Sequence, residues 1–134
     1  MVKTIDIKSS RRIEFIDITD KINGIIRQSG IVEGVCFISV PHTTAAVTIN
    51  ENSDPDVILD ILSKTGRLVP QSEGYAHSEG NSDSHIKSSL FSPSLSLIVN
   101  ENKLLLGIWQ AVYFCEFDGP RNRHVYIKLI NGQR

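Results

Sequence analysis

The chain lacks a strong net charge and a long apolar run, and each absence excludes a class of protein. Fourteen Lys and Arg residues against fifteen Asp and Glu residues give a net charge of −1, so there is no broad positive surface for nucleic acid or an anionic membrane. No stretch approaches the roughly 20 apolar residues of a membrane-spanning helix, and the segment MVKTIDIKSS has no apolar core of a secretory signal. We therefore expect a cytoplasmic protein with no nucleic-acid or membrane partner.

Cysteine is also scarce, and its placement favours buried thiols over a disulfide or a reactive site. The two cysteines, Cys36 and Cys115, both lie in apolar strand-like segments, and no CxxC pair is present. Thiols of cytosolic proteins usually stay reduced. We expect both to be buried structural thiols.

The length of 134 residues allows one domain, residues 1–134, and is too short for a barrel of eight β/α units, which needs about 250 residues. Alternating apolar patterns and turn residues predict strands, and apolar stripes behind capping residues predict helices. The predicted strands are 2–8, 12–18, 33–40, 45–50, 94–99, 104–109, 109–117 and 123–130. The predicted helices are 20–28, 54–64 and 82–90, with caps at Thr19 or Asp20, at Asp54, and at Asn81 or Ser82. This pattern predicts a compact α+β fold with a largely antiparallel sheet or sandwich and about three short helices.

The segment 77–85, HSEGNSDSH, is the most informative polar stretch of the chain. It contains no large apolar side chain, so it is either a solvated connector or a site. Its second half begins a predicted helix, whose free amides and partial positive charge suit a phosphate or carboxylate.

Three histidines are candidate ligands of a divalent metal, because a reactive metal site usually takes three protein ligands and leaves one position open. They are His42, His77 and His85. The alternative for His42 is a hydrogen-bonded turn histidine. Carboxylates that would orient the imidazoles are Glu51, Glu79 and Asp83.

Another polar cluster spans the predicted strand 109–117 and the turn after it. Large apolar residues alternate there with Gln110 and Glu116 on one face, as is common at an interface or a pocket mouth. Arg121 and Arg123 follow the next turn and suit phosphate oxygens. Structural pairing, for example with Asp118, is an equally good interpretation of these arginines.

Three sequence blocks together carry a family resemblance. The blocks PHTTAAVTINEN, HSEGNSDSH with IKSSL, and LGIWQ followed by FCEFDGPRNR resemble the signature blocks of the YjbQ family, the secondary thiamine-phosphate synthase proteins. The resemblance implies a homotrimer of an α+β fold, with a polar site near subunit boundaries and histidines able to hold a metal. The site residues that it implies are His42, Thr43, Thr44, Asn50, Glu51, Asn52, His77, Glu79, Asn81, Asp83, His85, Trp109, Gln110, Glu116, Asp118, Arg121 and Arg123.

The activity implied by the resemblance joins hydroxymethylpyrimidine diphosphate to a thiazole phosphate, giving thiamine phosphate and pyrophosphate. A divalent metal, zinc or magnesium, with Arg121 or Arg123 would neutralise the leaving pyrophosphate, and Tyr113 or Trp109 would stack on the pyrimidine. The carboxylates expected to be catalytic are Glu51, Asp83 and Glu116. The residues expected to bind substrate are Thr43, Thr44, Asn50, Asn81, Ser82, Gln110, Arg121 and Arg123.

Two other functions are compatible with these residues. One is metal-dependent hydrolysis of a small phosphate or ester, with Glu51 or Asp83 as general base. The other is a non-catalytic trimeric binding protein whose histidine segment stabilises the interface between subunits.

Overall fold

The computed structural model describes residues 1–132 of the chain and shows two antiparallel sheets with three helices within that range. The strands are β1 (Val2–Lys8), β2 (Glu14–Asp17), β3 (Gly34–Ser39), β4 (Ala45–Glu51), β5 (Ser94–Asn100), β6 (Lys103–Leu104), β7 (Gln110–Glu116) and β8 (Asn122–Asn131). The helices are α1 (Thr19–Ser29), α2 (Pro55–Leu68) and α3 (Ser82–Leu90). One sheet has the order β1-β8-β3-β5-β6 and the other β2-β7-β4. The predicted α+β class with antiparallel pairing is confirmed.

The main core lies between the inner faces of the two sheets, and α1 contributes to it through Ile22 and Ile26. A second core lies on the other face of the three-stranded sheet, where Phe91 and Ile58 pack. The side chains of β7 alternate between these two cores, so this strand is buried on both faces. Cys115 belongs to the second core and Cys36 to the main core, and both are free buried thiols, as predicted.

Several local signals are confirmed. Asp54 caps α2, since its carboxylate accepts a hydrogen bond from the Asp56 amide at 2.9 Å. Gly30 ends α1 in the left-handed conformation, with φ of 75°. The turn between β5 and β6 is built on positive φ at Glu101 and Asn102.

Two predictions are wrong for identifiable reasons. The predicted strand 104–109 ends at Leu104, because the Gly107 amide donates to the side chain of Gln110 at 2.7 Å and the Gln110 amide donates to Gly107 O, which closes a turn. Ile108 and Trp109 are exposed on that turn. The predicted cap at Thr19 or Asp20 fails because Ile18 takes the cap position and the Thr19 hydroxyl instead accepts from the Val112 amide.

Other differences concern lengths. The strand predicted over 12–18 is limited to Glu14–Asp17, and α2 continues four residues beyond the predicted end at 64, to Leu68. The third helix begins at Ser82 after Asn81, as predicted, although the Asn81 side chain makes no capping hydrogen bond. Within residues 1–132, no helix is both long and apolar enough to cross a membrane.

Candidate functional site

A polar cavity of about 350 Å³ lies where three segments of the chain meet. The segments are the connection between β3 and β4, the beginning of α3, and the turn between β7 and β8. We refer to it as the polar cavity. Its lining comprises Pro41, His42, Thr43, Thr44, Glu79, Asn81, His85, Asp118, Arg121 and Arg123.

Sheet register brings these segments together. Ala45 of β4 lies opposite Glu116 of β7, so the residues before β4 meet the turn after β7, and the Phe117 amide donates to Thr44 O. Two serines of α3 attach the helix to both segments. The Ser84 hydroxyl donates to Phe117 O at 2.5 Å, and the Ser88 hydroxyl donates to Thr43 O at 2.6 Å.

Glu116 and Arg123 form a buried ion pair beneath the polar cavity. Arg123 Nε lies 2.8 Å from Glu116 Oε2, and Nη2 donates to Glu116 Oε1 and to the Thr44 hydroxyl. Burial by itself would raise the pKa of Glu116, but hydrogen bonds from Arg123, the Asp118 amide and the Ser9 hydroxyl outweigh it and lower the pKa. Glu116 is therefore a fixed anion that orients Arg123.

Arg121 both ties its turn together and lines the polar cavity. Its Nε donates to Asp118 O at 2.7 Å and its Nη2 to Asp118 Oδ2 at 3.0 Å. The same carboxylate oxygen accepts from Asn81 Nδ2 at 2.9 Å. The structural pairing of Arg121 with Asp118 is therefore confirmed. Phosphate binding by Arg121 stays a prediction, and the ion pair holds the guanidinium at the cavity.

Asn81 has one polar atom without a protein partner. Its Oδ1 is buried and accepts no hydrogen bond from the described residues. The amide orientation follows from its neighbour, because the Asp118 carboxylate only accepts hydrogen bonds and must face the Asn81 NH₂ group.

Asp83 is fully buried and bound by two cations. Arg12 donates to both of its carboxylate oxygens at 3.0 and 2.8 Å, and Lys87 donates at 3.2 Å. Burial opposes ionisation of Asp83, but these hydrogen bonds outweigh it and lower the pKa. The carboxylate anchors α3 to the residues before β2, and it is not part of the polar cavity.

The histidines fall into two pairs. His42 Nε2 lies 3.1 Å from the His124 amide, and the two rings are 5.0 Å apart. Burial, together with the positive charge of Arg123, lowers the pKa of His42, so this imidazole is neutral near pH 7. The rings of His77 and His85 meet edge to face at 5.5 Å.

His42 and His85 share the polar cavity, whereas His77 is absent from its lining. Within residues 1–132, no group of three or more His, Cys, Asp or Glu side chains is placed to hold a metal. The three-histidine metal site therefore stays a prediction, and one chain does not assemble it.

Five of the predicted site residues lie at the other end of the three-stranded sheet: Asn50, Glu51, Asn52, Trp109 and Gln110. Glu51 pairs with Gln110, six residues along β4 from Ala45, a distance of about 20 Å at the rise of a strand. The Asn50 side chain accepts a hydrogen bond from the Glu51 amide at that same end. One chain therefore does not bring Asn50, Glu51 and Gln110 to the polar cavity.

The two aromatic candidates for stacking also lie elsewhere. Tyr113 is buried in the second core and its hydroxyl donates to Glu51 O. Trp109 lies on the exposed turn, where its carbonyl accepts from the Asn52 amide. Ser82 is buried at the start of α3 and lines a neighbouring cavity rather than the polar one.

Sequence reasoning missed three residues that hold the site in place. The Ser9 hydroxyl donates to Glu116 Oε2 at 2.7 Å and accepts from the Arg121 amide at 2.9 Å, while Arg12 and Lys87 hold Asp83. Ser9 belongs to what the sequence predicts as an ordinary turn, and Arg12 begins the predicted strand 12–18. Their partners are 71 to 112 residues away, and no local pattern marks such contacts.

Comparison with protein families gives one match over nearly the whole chain. Residues 3–132 match the family model described as UPF0047 protein YjbQ-like. A UPF0047 protein of Methanocaldococcus jannaschii is 49% identical over 92% of this chain and 90% of its own length. The UPF0047 protein YugU of Bacillus subtilis is 47% identical over 97% of this chain and 99% of its own length.

Solved structures share the fold. The crystal structure of a conserved protein of the YjbQ/UPF0047 family from Clostridium acetobutylicum superimposes with a TM-score of 0.93 at 46% identity, covering 96% of this chain and 99% of the other. A YjbQ-like protein of unknown function from Sulfolobus solfataricus gives a TM-score of 0.93 at 32% identity, covering 98% of this chain and 97% of the other.

Proposed function

This chain belongs to the YjbQ-like UPF0047 family, and from that membership we propose that it is an enzyme acting on a small phosphorylated molecule in the polar cavity. The observation that carries the proposal is the convergence of two arginines, two histidines and an asparagine from three separate segments on one cavity. The activity proposed is coupling of hydroxymethylpyrimidine diphosphate with a thiazole phosphate to give thiamine phosphate and pyrophosphate. This specific reaction is supported by the family resemblance of the sequence blocks and by the chemistry of the cavity.

The arginines supply the charge that a leaving diphosphate needs. Within residues 1–132, the hydrogen bonds of Arg121 and Arg123 to the protein use Nε and Nη2, which leaves each Nη1 for a phosphate oxygen. Asp118 and Glu116 hold the two guanidinium groups in position. Fixed donors of this kind stabilise charge that develops on a leaving group without reorganisation during the reaction.

The two carboxylates that the sequence offers as general bases for hydrolysis, Asp83 and Glu51, are absent from the lining of the polar cavity. In the coupling step the thiazole nitrogen attacks the methylene carbon, the carbon–oxygen bond to the diphosphate breaks, and pyrophosphate leaves with the electron pair. The attacking nitrogen carries no proton, so no general base is required. Hydrolysis needs a base for water, but Asp83 is bound by Arg12 and Lys87, and Glu51 lies about 20 Å away along β4.

The metal in the proposal is magnesium that enters with the diphosphate. Magnesium is usually held by one or two carboxylates together with substrate phosphates and water, and Glu79 and Asp118 line the polar cavity. Bound there, it would neutralise part of the diphosphate charge. The described histidines of one chain do not fit a resident zinc, which takes three ligands.

Assembly as a homotrimer in the cytoplasm is part of the same proposal. The outer face of the five-stranded sheet supports self-association, since Phe37, Ile98 and Ile130 are exposed there. The register places Val35 between Ile98 and Ile130, so these apolar side chains form a row across the sheet. The family resemblance implies a homotrimer, and we assign this surface to contact with a second copy of the chain.

The coupling assay uses purified protein with both substrates and magnesium, and it measures thiamine phosphate and pyrophosphate. We expect Arg121→Ala to lower kcat/KM by about 100-fold, because one positioned donor to a developing anion is worth that much. Arg27→Ala, on the exposed surface of α1, is the matched control and should leave the rate unchanged. Thermal melting of each variant establishes that it is folded.

The outcomes separate the candidate functions. Product that requires both substrates supports the synthase. Release of phosphate or pyrophosphate from one substrate alone would replace it with hydrolysis. Metal that copurifies at one equivalent per chain without diphosphate, and is lost in His42→Ala, would restore the three-histidine site in place of magnesium that enters with the substrate.

A further inference from the structure

A second cavity, of about 400 Å³, adjoins the polar cavity and has a different chemistry. We call it the ring cavity. Its walls are aromatic and aliphatic apart from one serine. The lining comprises Tyr75, Ala76, His77, Ser82, His85 and Ile86.

The aromatic walls are held in place by hydrogen bonds and by contacts between rings. The Tyr75 hydroxyl donates to Pro70 O at 2.6 Å, so the polar end of this side chain has a partner and its ring forms a wall. The His77 ring meets the His85 ring edge to face, with an angle of 89° between their planes. His77 Nε2 lies 3.6 Å from Glu79 Oε2.

His85 separates the two cavities and belongs to both linings. The two cavities also meet at consecutive residues of the chain. Asn81 lines the polar cavity, and Ser82 lines the ring cavity. A ligand that fills both would therefore pass beside His85, with an apolar planar group on one side and an anionic group on the other. Each volume lies at the small end of the range for ligand sites, about 300–1,000 Å³.

From this juxtaposition we infer that the ring cavity binds the planar heteroaromatic group of a ligand whose phosphate occupies the polar cavity, so that Tyr75 and Ile86 select the ligand. The inference rests on the proposed function, since it takes the polar cavity as the phosphate site. The recognised class is a phosphate ester of a heteroaromatic alcohol. Stacking on a fixed aromatic wall and burial of ring surface against Ile86 supply the affinity.

The ring cavity also accounts for an aromatic residue that the sequence did not mark. Tyr113 and Trp109 lie outside both linings, whereas Tyr75 precedes the histidine segment by two residues. Ile86 is 38% exposed, so part of its side chain is accessible to a ligand in the ring cavity.

The test compares two probes by calorimetry at one pH and salt concentration: hydroxymethylpyrimidine monophosphate and inorganic phosphate. We expect the wild-type protein to bind the ring-bearing probe at least about ten-fold more tightly, since burial of one ring face gives a difference of that order. Ile86→Asn and Tyr75→Leu should remove most of this preference and leave the affinity for inorganic phosphate unchanged.

Leu90→Asn is the matched control for Ile86→Asn. Leu90 lies one turn further along the same helix, is exposed, and belongs to neither lining. Its variant should keep the full preference for the ring-bearing probe. A preference that falls equally in the Leu90 and Ile86 variants would show a general effect on α3 and overturn the inference.

The failure of the inference and that of the proposed function give different results. Equal affinity for both probes in the wild-type protein would overturn the ring cavity as a subsite and leave the phosphate site intact. No measurable binding of either probe would overturn the proposed function, and the inference with it. If both proposals hold, Arg121→Ala should lower the affinity for both probes by the same factor.

Discussion

The buried ion pair between Glu116 and Arg123 positions a charged group at the polar cavity. Both side chains are almost fully buried, and each would be an uncompensated charge without the other. The pair therefore does not serve as a reserve of stability, because replacing both partners by apolar groups is often neutral. Its role is to present one nitrogen of Arg123 to the polar cavity.

We expect Glu116→Gln to lower the free energy of unfolding by about 3–5 kcal/mol, because removing one partner leaves a buried guanidinium without its counter-ion. Urea unfolding at pH 7 measures the loss. Glu101→Gln, on the exposed turn after β5, is the control and should stay within about 0.5 kcal/mol of the wild-type protein. A loss below about 1 kcal/mol for Glu116→Gln would mean that water reaches the Arg123 guanidinium and replaces the lost hydrogen bonds, so that the pair is not shielded from solvent.

The buried carboxylates also predict a dependence of stability on pH. The folded-state pKa values of Asp83 and Glu116 lie below their ordinary values of 3.8 and 4.5. The stability that these two ionised carboxylates contribute is therefore fully present at a pH above their ordinary pKa values. It is lost as the pH falls through the lowered pKa values. Unfolding free energy measured at a series of pH values should fall steeply below about pH 4. The slope should be shallower in Asp83→Asn, and an unchanged slope in that variant would show that Asp83 does not carry the effect.

At the residue scale, the sequence identifies the polar residues better than it identifies their roles. His42, His85, Asn81, Arg121 and Arg123 are all predicted as site residues, and they do share the polar cavity. Asp83 and Glu116 are expected to be catalytic, but each is bound by cations. The sequence shows which side chains are charged, whereas the partners that fix their charge come from residues 2 to 107 positions away.

Elements are predictable where their signals are local. Helix α2 begins with Asp54 and Pro55, a capping residue followed by proline at the first turn, and both signals act over neighbouring residues. The apolar run LLLGIW has the composition of a strand, but Gly107 and Gln110 close a turn within it. Whether such a run pairs depends on a partner strand, which composition does not specify.

Two glycines in different elements provide a paired prediction. A Cβ atom at Gly119 would lie 2.2 Å from Arg11 O, so Gly119→Ala must displace backbone at the turn between β7 and β8. We expect a loss of about 1–3 kcal/mol in the free energy of unfolding. At Gly66, within α2, an added Cβ would meet none of the described atoms within 4 Å, so Gly66→Ala should stabilise the protein by about 0.5–1 kcal/mol. Thermal and urea unfolding measure the change in the free energy of unfolding for both variants. A change of the same sign in the two variants would contradict the argument.

For the whole molecule, the testable quantity is its mass in solution. The proposed homotrimer predicts three times the chain mass of 14.9 kDa by light scattering. Ile98→Lys should lower that mass, because it places a charge on the exposed apolar row of the five-stranded sheet. Leu59→Lys, on the exposed face of α2, should leave it unchanged. A monomer at micromolar concentration for the wild-type protein would refute the trimer.

The overall class is predictable because alternating patterns specify strands and their sequential order favours antiparallel pairing. The division of the strands into two separate sheets is not predictable from these patterns. β7 carries apolar residues on both faces, a pattern compatible with any central strand, and only its pairing with β2 and β4 reveals that two cores meet there. The position of the site follows from that partition, since the polar cavity lies where these strands end.

The strand order has a consequence for how the protein is made. β8 lies between β1 and β3 and carries Arg123, so β1 leaves the ribosome well before the strand that pairs with it. Until β8 follows, the growing chain exposes strand edges of the kind that aggregate and attract chaperones. The polar cavity consequently forms in a late, concerted closure of distant segments, and a chain stalled short of β8 should bind no phosphate.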